Sequence, residues 1–421
     1  MGTVFALVLA VLAATPALAV RFGLFAPSVE LGTLTFGLAI VGAAFAMSWA
    51  AEAAEHDIPR ALALTVVALL ADFPEYAVDI IFAYKAGADP AFAPFATANM
   101  TGSNRLLLGV GWPAVALLAW LISGRKVLHV DRGAVLPLMF LGLATIYSFS
   151  LPLRQSIGVV DSLLLVVLFG TYAVIAARQE SHEPDLVGPS AAIGALPLVA
   201  RRLSVLGLFA FAGVTIALCA EPFAEGLVRT GERLGIDEFL LVQWLAPLAS
   251  EAPEFLVAAL LALRGKAMAG LTLLLSAKVN QWTLLVGSLP LAYSVGAGHI
   301  GALPLDDRQA MEVWLTAAQS LFGVAVLASL SLHVGEALLL AGLFLAQLVL
   351  SGVLRAGLHD AQRAVWELAA FSVVYTVLGV VLLVRARHAV GAMLRGDRAV
   401  LGAAEDQPAH APPPRQQRPA A

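Results

Sequence analysis

Asp72-Phe73-Pro74-Glu75-Tyr76 and Glu251-Ala252-Pro253-Glu254-Phe255 place the same chemistry in two distant parts of the chain. Each copy sets two carboxyl groups three residues apart, on one face of a helix, with a proline between them and apolar residues around them. In the first copy Asp79 continues that face for another turn; in the second the matching position is Ala258. Proline has no backbone N–H, so the carbonyls of Leu70 and Ala249 lose their usual helical donor. Carboxylates beside freed carbonyls are hard oxygen ligands of the kind Na⁺ and Ca²⁺ prefer. A charged side chain in hydrocarbon costs about 2.5–3.5 kcal/mol on an insertion scale, so such residues read by default as functional. The competing reading is a kinked helix whose acids pair with basic neighbours, and repetition of the pattern argues against it.

A second matching element follows each acidic segment. Asn99-Met100-Thr101-Gly102-Ser103-Asn104 leads into an apolar run to Gly111, and Ser276-Ala277-Lys278-Val279-Asn280 leads into one reaching Gly287. Aligning Asn104 with Asn280 brings Gly111 and Gly287 into the same register. Small residues let helices approach closely, and Asn and Ser offer oxygen ligands or interhelical hydrogen bonds.

The elements that must position these groups are membrane helices. The 421 residues are 60% hydrophobic and 13% charged, with a mean hydropathy of +0.87, and the apolar runs have the length of transmembrane spans. The pattern predicts an all-α integral membrane protein of about twelve spans, near 3–20, 32–54, 59–84, 92–122, 134–152, 156–177, 203–228, 237–263, 267–294, 310–330, 334–353 and 364–385. These group into two five-helix repeats, 32–177 and 203–353, with one extra helix outside each end. An odd number of spans per repeat forces the repeats into opposite orientations, with the site between them. Segment 1–31 is an extra helix or a signal-like segment, whose start lacks the basic residues of a cleaved signal. Segment 178–202 is a cytoplasmic linker, 354–395 carries the extra C-terminal helix, and 396–421, with Pro412-Pro413-Pro414, reads as a disordered tail. Thirteen basic residues fall on one side of this topology and eight on the other, which places both termini in the cytoplasm of an inner-membrane protein.

Several function classes are excluded. The basic residues lie in short loops without interleaved aromatics, so nucleic acid is not a partner; the partners expected are inorganic cations and the bilayer. No Gly-x-x-x-x-Gly-Lys-Ser/Thr loop is present to use ATP, and no His-Glu-x-x-His or nucleophile–base arrangement suggests an enzyme. The single cysteine, Cys219, rules out an intramolecular disulfide. No cofactor is implied.

The two pairs of motifs resemble those of the sodium/calcium exchanger family of the cation/calcium antiporter superfamily, over about residues 32–353. That family carries Gly-Thr-Ser-x-Pro-Glu on one helix and Gly-Ser-Asn-x-x-Asn/Asp on the next, once per repeat. Pro74-Glu75 and Pro253-Glu254 match the first motif and Gly102-Ser103-Asn104 the core of the second. The short turns Glu55-His56-Asp57-Ile58-Pro59 and Arg233-Leu234-Gly235-Ile236-Asp237-Glu238 also resemble the family's. The resemblance implies a secondary cation antiporter, moving Ca²⁺ or Na⁺ against Na⁺ or H⁺, in which Glu75 and Glu254 bind the exchanged ion. The chain is a divergent member. Ala71-Asp72 and Ser250-Glu251 replace the Thr-Ser pair, Leu107 and Thr283 the last Asn/Asp, and Lys278-Val279 the Gly-Ser of the second repeat.

Neutral oxygen ligands are thus exchanged for carboxylates, and a lysine is added. Four carboxylates against Lys278, with Arg105 as a second cation, cannot all stay ionised in a low dielectric, which favours proton coupling. The candidate cation ligands are Glu75, Glu254, Asp72, Glu251, Ser103, Asn104, Asn280 and Ser250, with Lys278 and Asp79 as coupling groups. Lys278 is expected to neutralise part of the acidic cluster until a cation displaces it; the alternative is a permanent structural salt bridge. Glu52, Glu55, Glu221 and Glu225 stand at span ends as solvated charges or as the lining of an access path, while Asp161, Gln243 and Glu336 read as interhelical hydrogen-bonding groups. The alternative functions are a Na⁺/H⁺ or other cation/H⁺ antiporter, or a non-transporting scaffold that keeps the fold.

Overall fold

The computed structural model describes residues 2–54, 57, 72–130, 132–178, 186–354 and 361–395. Glu55, Leu70, Ala71 and the tail from 396 onward lie outside these described residues, as does most of the predicted span before Asp72. The first part of the chain runs α1 (Thr3–Arg21), α2 (Val29–Ala54), α3 (Phe73–Ala88) and α4 (Ala93–Leu106), which passes through a π-helical turn (Leu107–Gly111) into α5 (Trp112–Ser123). Strand β1 (Val127–His129), α6 (Val135–Ser148), α7 (Ser150–Arg154), β2 (Ser156–Ile157) and α8 (Val159–Ala176) complete the first repeat. A short α9 (Pro189–Gly194) leads to α10 (Leu198–Leu234), α11 (Glu238–Leu263) and α12 (Ala267–Asn280). A second π-helical turn (Gln281–Leu285) joins α12 to α13 (Val286–Ala297), followed by β3 (Leu303–Pro304), α14 (Asp307–Leu327), β4 (Ser331–His333), α15 (Val334–Gly352), α16 (Ala361–Arg385) and α17 (Arg387–Arg395).

Among the described residues, nine helices are long and apolar enough to cross a membrane. Fewer than twelve meet that measure, for sequence reasons. The apolar stretch of α1 is short, Phe5–Arg21, and α3 is described over 16 residues only. The α12–α13 helix carries Lys278, Asn280, Gln281 and Thr283 in its middle, which lowers its hydropathy. Leu163, Leu164 and Val167 on α8 and Val373 and Val377 on α16 stay exposed, as side chains facing lipid do.

The inversion of the repeats is written into two short strand pairs. β1 lies between the third and fourth spans of the first repeat, and it pairs antiparallel with β4, between the fourth and fifth spans of the second. β2 and β3 pair in the reciprocal way. Successive loops of one repeat lie on opposite faces of a membrane, so this cross-pairing requires the second repeat to run upside down relative to the first. α10 packs along α2 and α16 along α14, where the Tyr375 and Phe322 rings lie 5.8 Å apart between centroids.

Close backbone approach brings the motif helices together. At Gly102 on α4, an added Cβ would lie 1.8 Å from the carbonyl oxygen of Gln243 on α11. The absent side chain is what allows the first repeat's amide helix to press against the second repeat's acidic helix. One sequence expectation is corrected here. Pro253 does sit inside a continuous helix, α11. The described chain, however, turns at Asp72 (φ −82°, ψ 1°), and α3 starts at Phe73. Pro74 therefore occupies the first turn, where a missing N–H costs nothing, and does not interrupt the described part of its helix.

Candidate functional site

The acids come from α3 and α11, and the amides and the lysine from α4 and α12 with their π-helical continuations. Asp72 (8% exposed), Glu75 (3%) and Glu251 (1%) are buried, and Glu254 is half-buried. Asp72 and Glu254, and Glu75 and Glu251, are neighbours across the repeat boundary, as Glu251 and Glu254 are within the second repeat. Carboxyl groups gathered this way need a proton or a cation among them, because like charges in a dry interior repel strongly.

A set of polar groups orients three of the four acids. The Tyr76 hydroxyl donates to Asn280 Oδ1 at 2.9 Å, Asn280 Nδ2 donates to Asp72, and Gln281 Nε2 donates to Glu251. Ser103 and Gln281 lie within hydrogen-bonding reach of Glu75. Buried oxygens with no protein partner remain on Glu75 (Oε1), Glu251 (Oε2), Glu254 (Oε2) and Gln281 (Oε1). A buried acceptor left open costs about 1–3 kcal/mol, so these atoms are the ones a cation or proton would satisfy. Among the described residues, no three carboxylate, histidine or cysteine groups stand in the arrangement of a closed metal cage. The acids stand instead as neighbours across the repeats, and any ion held here needs carboxamide oxygen as well.

Lys278 is fully buried. It donates to the backbone carbonyl of Asn104 at 2.8 Å and to Asn104 Oδ1 at 2.9 Å, and its ammonium lies 5.1 Å from the centre of the Trp282 ring. The expected direct ion pair with the acidic cluster is not what the described residues form. The side chain leans from α12 onto Asn104 of α4. Arg105 leaves the cluster altogether. It pairs with Glu312 on α14 at 2.7 Å, donates to Gln347 on α15 and lies 5.1 Å from the centre of the Trp244 ring on α11.

The other expected residues divide clearly. Asp79 is fully buried one turn beyond Glu75 and accepts from Asn99 at 2.9 Å, with its second oxygen unpartnered. Ser250 donates back to carbonyls of its own helix, Ala246 at 3.3 Å and Pro247 at 3.2 Å, so its hydroxyl hydrogen is not aimed at the acids. Glu221 and Glu225 hold Lys85 at the end of α3, and Glu52 binds Ser48 and Ser190; all three stand apart from the cluster. Gln243 bridges helices through Glu312 and Thr101. Asp161 accepts from Arg154 and Tyr147 and from the backbone of Gly158, and Glu336 caps α15 through the His333 N–H at 2.8 Å.

Three contributors escaped the sequence reading. Tyr76 resembles a core aromatic, like Phe255 at the equivalent place. Gln281 follows Asn280 where the first repeat has Arg105, and Glu312 is a lone acid in an apolar span. Only Glu312 carried a usable signal, the cost of a charge at membrane depth.

Comparison with known proteins bears on the family and the fold. A family model described as sodium/calcium exchanger protein matches residues 30–178 and 204–353. The crystal structure of an H⁺/Ca²⁺ exchanger, CAX, superposes with a TM-score of 0.86 at 42% identity, covering 95% of this chain and 99% of that one. The structure of native YfkE gives a TM-score of 0.60 at 14% identity, over 82% of this chain and 98% of that one. The sodium-calcium exchanger NCX_Mj gives 0.51 at 17%, over 76% and 98%. At such identities these last two share the fold. No curated protein matches the chain. With both repeats matched and the motif acids of each meeting across the repeat boundary, the chain belongs to the sodium/calcium exchanger protein family, a family of membrane cation antiporters.

Proposed function

We propose that the chain exchanges Ca²⁺ against protons by alternating access, with Glu75 and Glu254 as the principal cation ligands. The observation that carries this reading is the gathering of buried acids from both repeats, Asp72 and Glu251 held by Asn280 and Gln281 of the second repeat, with three carboxylate oxygens of Glu75, Glu251 and Glu254 unpartnered. Protons hold the acids together when the ion is away. An arriving divalent cation takes their place, and release of two protons keeps the charge of the cavity constant. Glu254, half-buried beside more deeply buried Glu75 and Glu251, is the first carboxylate an incoming ion meets. The 42% identity to an H⁺/Ca²⁺ exchanger supports the same choice of ions. The excess of basic residues on one side of the topology supports cytoplasmic termini.

The test is radiolabelled Ca²⁺ uptake into proteoliposomes under an imposed pH gradient, with a lumenal pH dye read in parallel. Uptake should follow the gradient, Ca²⁺ should move the dye, and Glu75→Gln or Glu254→Gln should reduce both signals to background. Ca²⁺ flux that ignores the pH gradient, or a Glu254→Gln protein as active as the parent, would refute the reading.

A further inference from the structure

Two of the motif amides have their side-chain oxygens engaged, Asn104 by Lys278 and Asn280 by Tyr76. Asn104 gives both its backbone and side-chain oxygens to the Lys278 ammonium, at 2.8 and 2.9 Å. Asn280 Oδ1 receives the Tyr76 hydroxyl at 2.9 Å. The Ser103 hydroxyl donates to the Met100 carbonyl at 3.2 Å and Ser250 donates within α11, so their protons are spent while their oxygen lone pairs stay available. Among the oxygens left open are those of the Glu75, Glu251, Glu254 and Asp79 carboxylates and of the Gln281 and Asn99 carboxamides.

The Lys278 ammonium has the surroundings of a bound monovalent cation. Two oxygens contact it, the Trp282 ring faces it, and it is wholly screened from solvent. Cation–π contact of this kind is strengthened when the charge is desolvated. Unlike an ion, it is tied to the chain and cannot leave. The arrangement exists on one side only, because the position equivalent to Lys278 in the first repeat is Gly102, which lies against the Gln243 backbone with no space for a side chain.

We infer that Lys278 is a built-in monovalent cation that fills the oxygen site at Asn104, so that the cavity accepts a divalent cation or protons and excludes Na⁺. The inference rests on the Ca²⁺/H⁺ reading above and adds the residue that sets its ion selectivity. Carboxylate-rich sites suit divalent ions, whereas a Na⁺ arriving here finds both Asn104 oxygens taken by a charge that cannot leave.

The experiment is equilibrium binding of radiolabelled Ca²⁺ to the purified full-length chain in nanodiscs, with Na⁺ exchanged for choline at constant ionic strength. In the parent protein the exchange should leave Ca²⁺ binding unchanged. In Lys278→Ala, Na⁺ at about ten times its own dissociation constant should weaken apparent Ca²⁺ affinity about tenfold, while Lys278→Arg should stay indifferent to Na⁺. Lys278→Met keeps the volume of the stem and ends one atom short of the ammonium position, so it should show the same competition even if the alanine variant does not fold. Absence of Na⁺ competition in both uncharged variants, or Na⁺ competition in the parent, would overturn the inference. A parent that binds and carries Ca²⁺ against protons while its variants ignore Na⁺ would sink this inference alone; a parent that binds no Ca²⁺ would sink both.

Discussion

Arg105 and Glu312 offer a quantitative test of how the site is held in place. Both are 1% exposed, and the pair joins α4 to α14, with Gln347 of α15 on the arginine and Gln243 of α11 donating to the glutamate at 2.9 Å. Arg105 directly follows Asn104, so the brace fixes the helix that carries the amide ligands. Removing the arginine as Arg105→Met leaves a buried carboxylate with one amide donor. Breaking a buried pair from one side costs about 3–5 kcal/mol, and the surviving Gln243 bond puts this case toward the lower value. Removing both charges, as Arg105→Met with Glu312→Leu, leaves no uncompensated ion and should cost far less, because desolvating two charges roughly cancels their attraction. A double-mutant cycle on unfolding in mixed micelles should therefore give a coupling of at least about 2 kcal/mol. Simple additivity, with the double variant as unstable as the sum of the singles, would refute the view that the pair acts as one brace.

Further outcomes follow from the same coordinates. Gly102→Ala places a Cβ 1.8 Å from the Gln243 carbonyl, so α4 and α11 must separate. Size-exclusion profiles should show a lower yield of folded protein, at a cost of about 1–3 kcal/mol or more, and Ca²⁺ binding should weaken. Tyr76→Phe removes the 2.9 Å donor to Asn280 and should cost about 0.5–1.5 kcal/mol of stability in a thermal-shift series, with Phe255→Leu as a packing control. Lys85→Gln breaks the 3.0 Å pair with Glu221, whose side chain is 49% exposed. Stability should fall by less than about 1 kcal/mol, and the loss should shrink further at high salt.

Periodicity and cost made much of this molecule legible in advance. Apolar runs with the length of a bilayer crossing define helices whatever their neighbours, and a charge within such a run is expensive enough to signal use. For that reason Asp72, Glu75, Glu251 and Glu254 stood out, and the odd number of spans implied inverted repeats, which the β1–β4 and β2–β3 pairs realise. Which donor meets which acceptor depends on the crossing of helices far apart in the chain, and spacing along a sequence does not encode it. Lys278 looked like a partner for the acids and binds Asn104 instead. Arg105 looked like a second counter-charge and belongs to Glu312. Tyr76 and Gln281 carry no cost signal, since an aromatic or an amide in a span is ordinary, yet both orient the cluster. Residue chemistry and repetition determined where ions would be handled; only the packing of α3, α4, α11 and α12 decided which oxygens remain open to them, because hydrogen-bonding capacity is spent between helices.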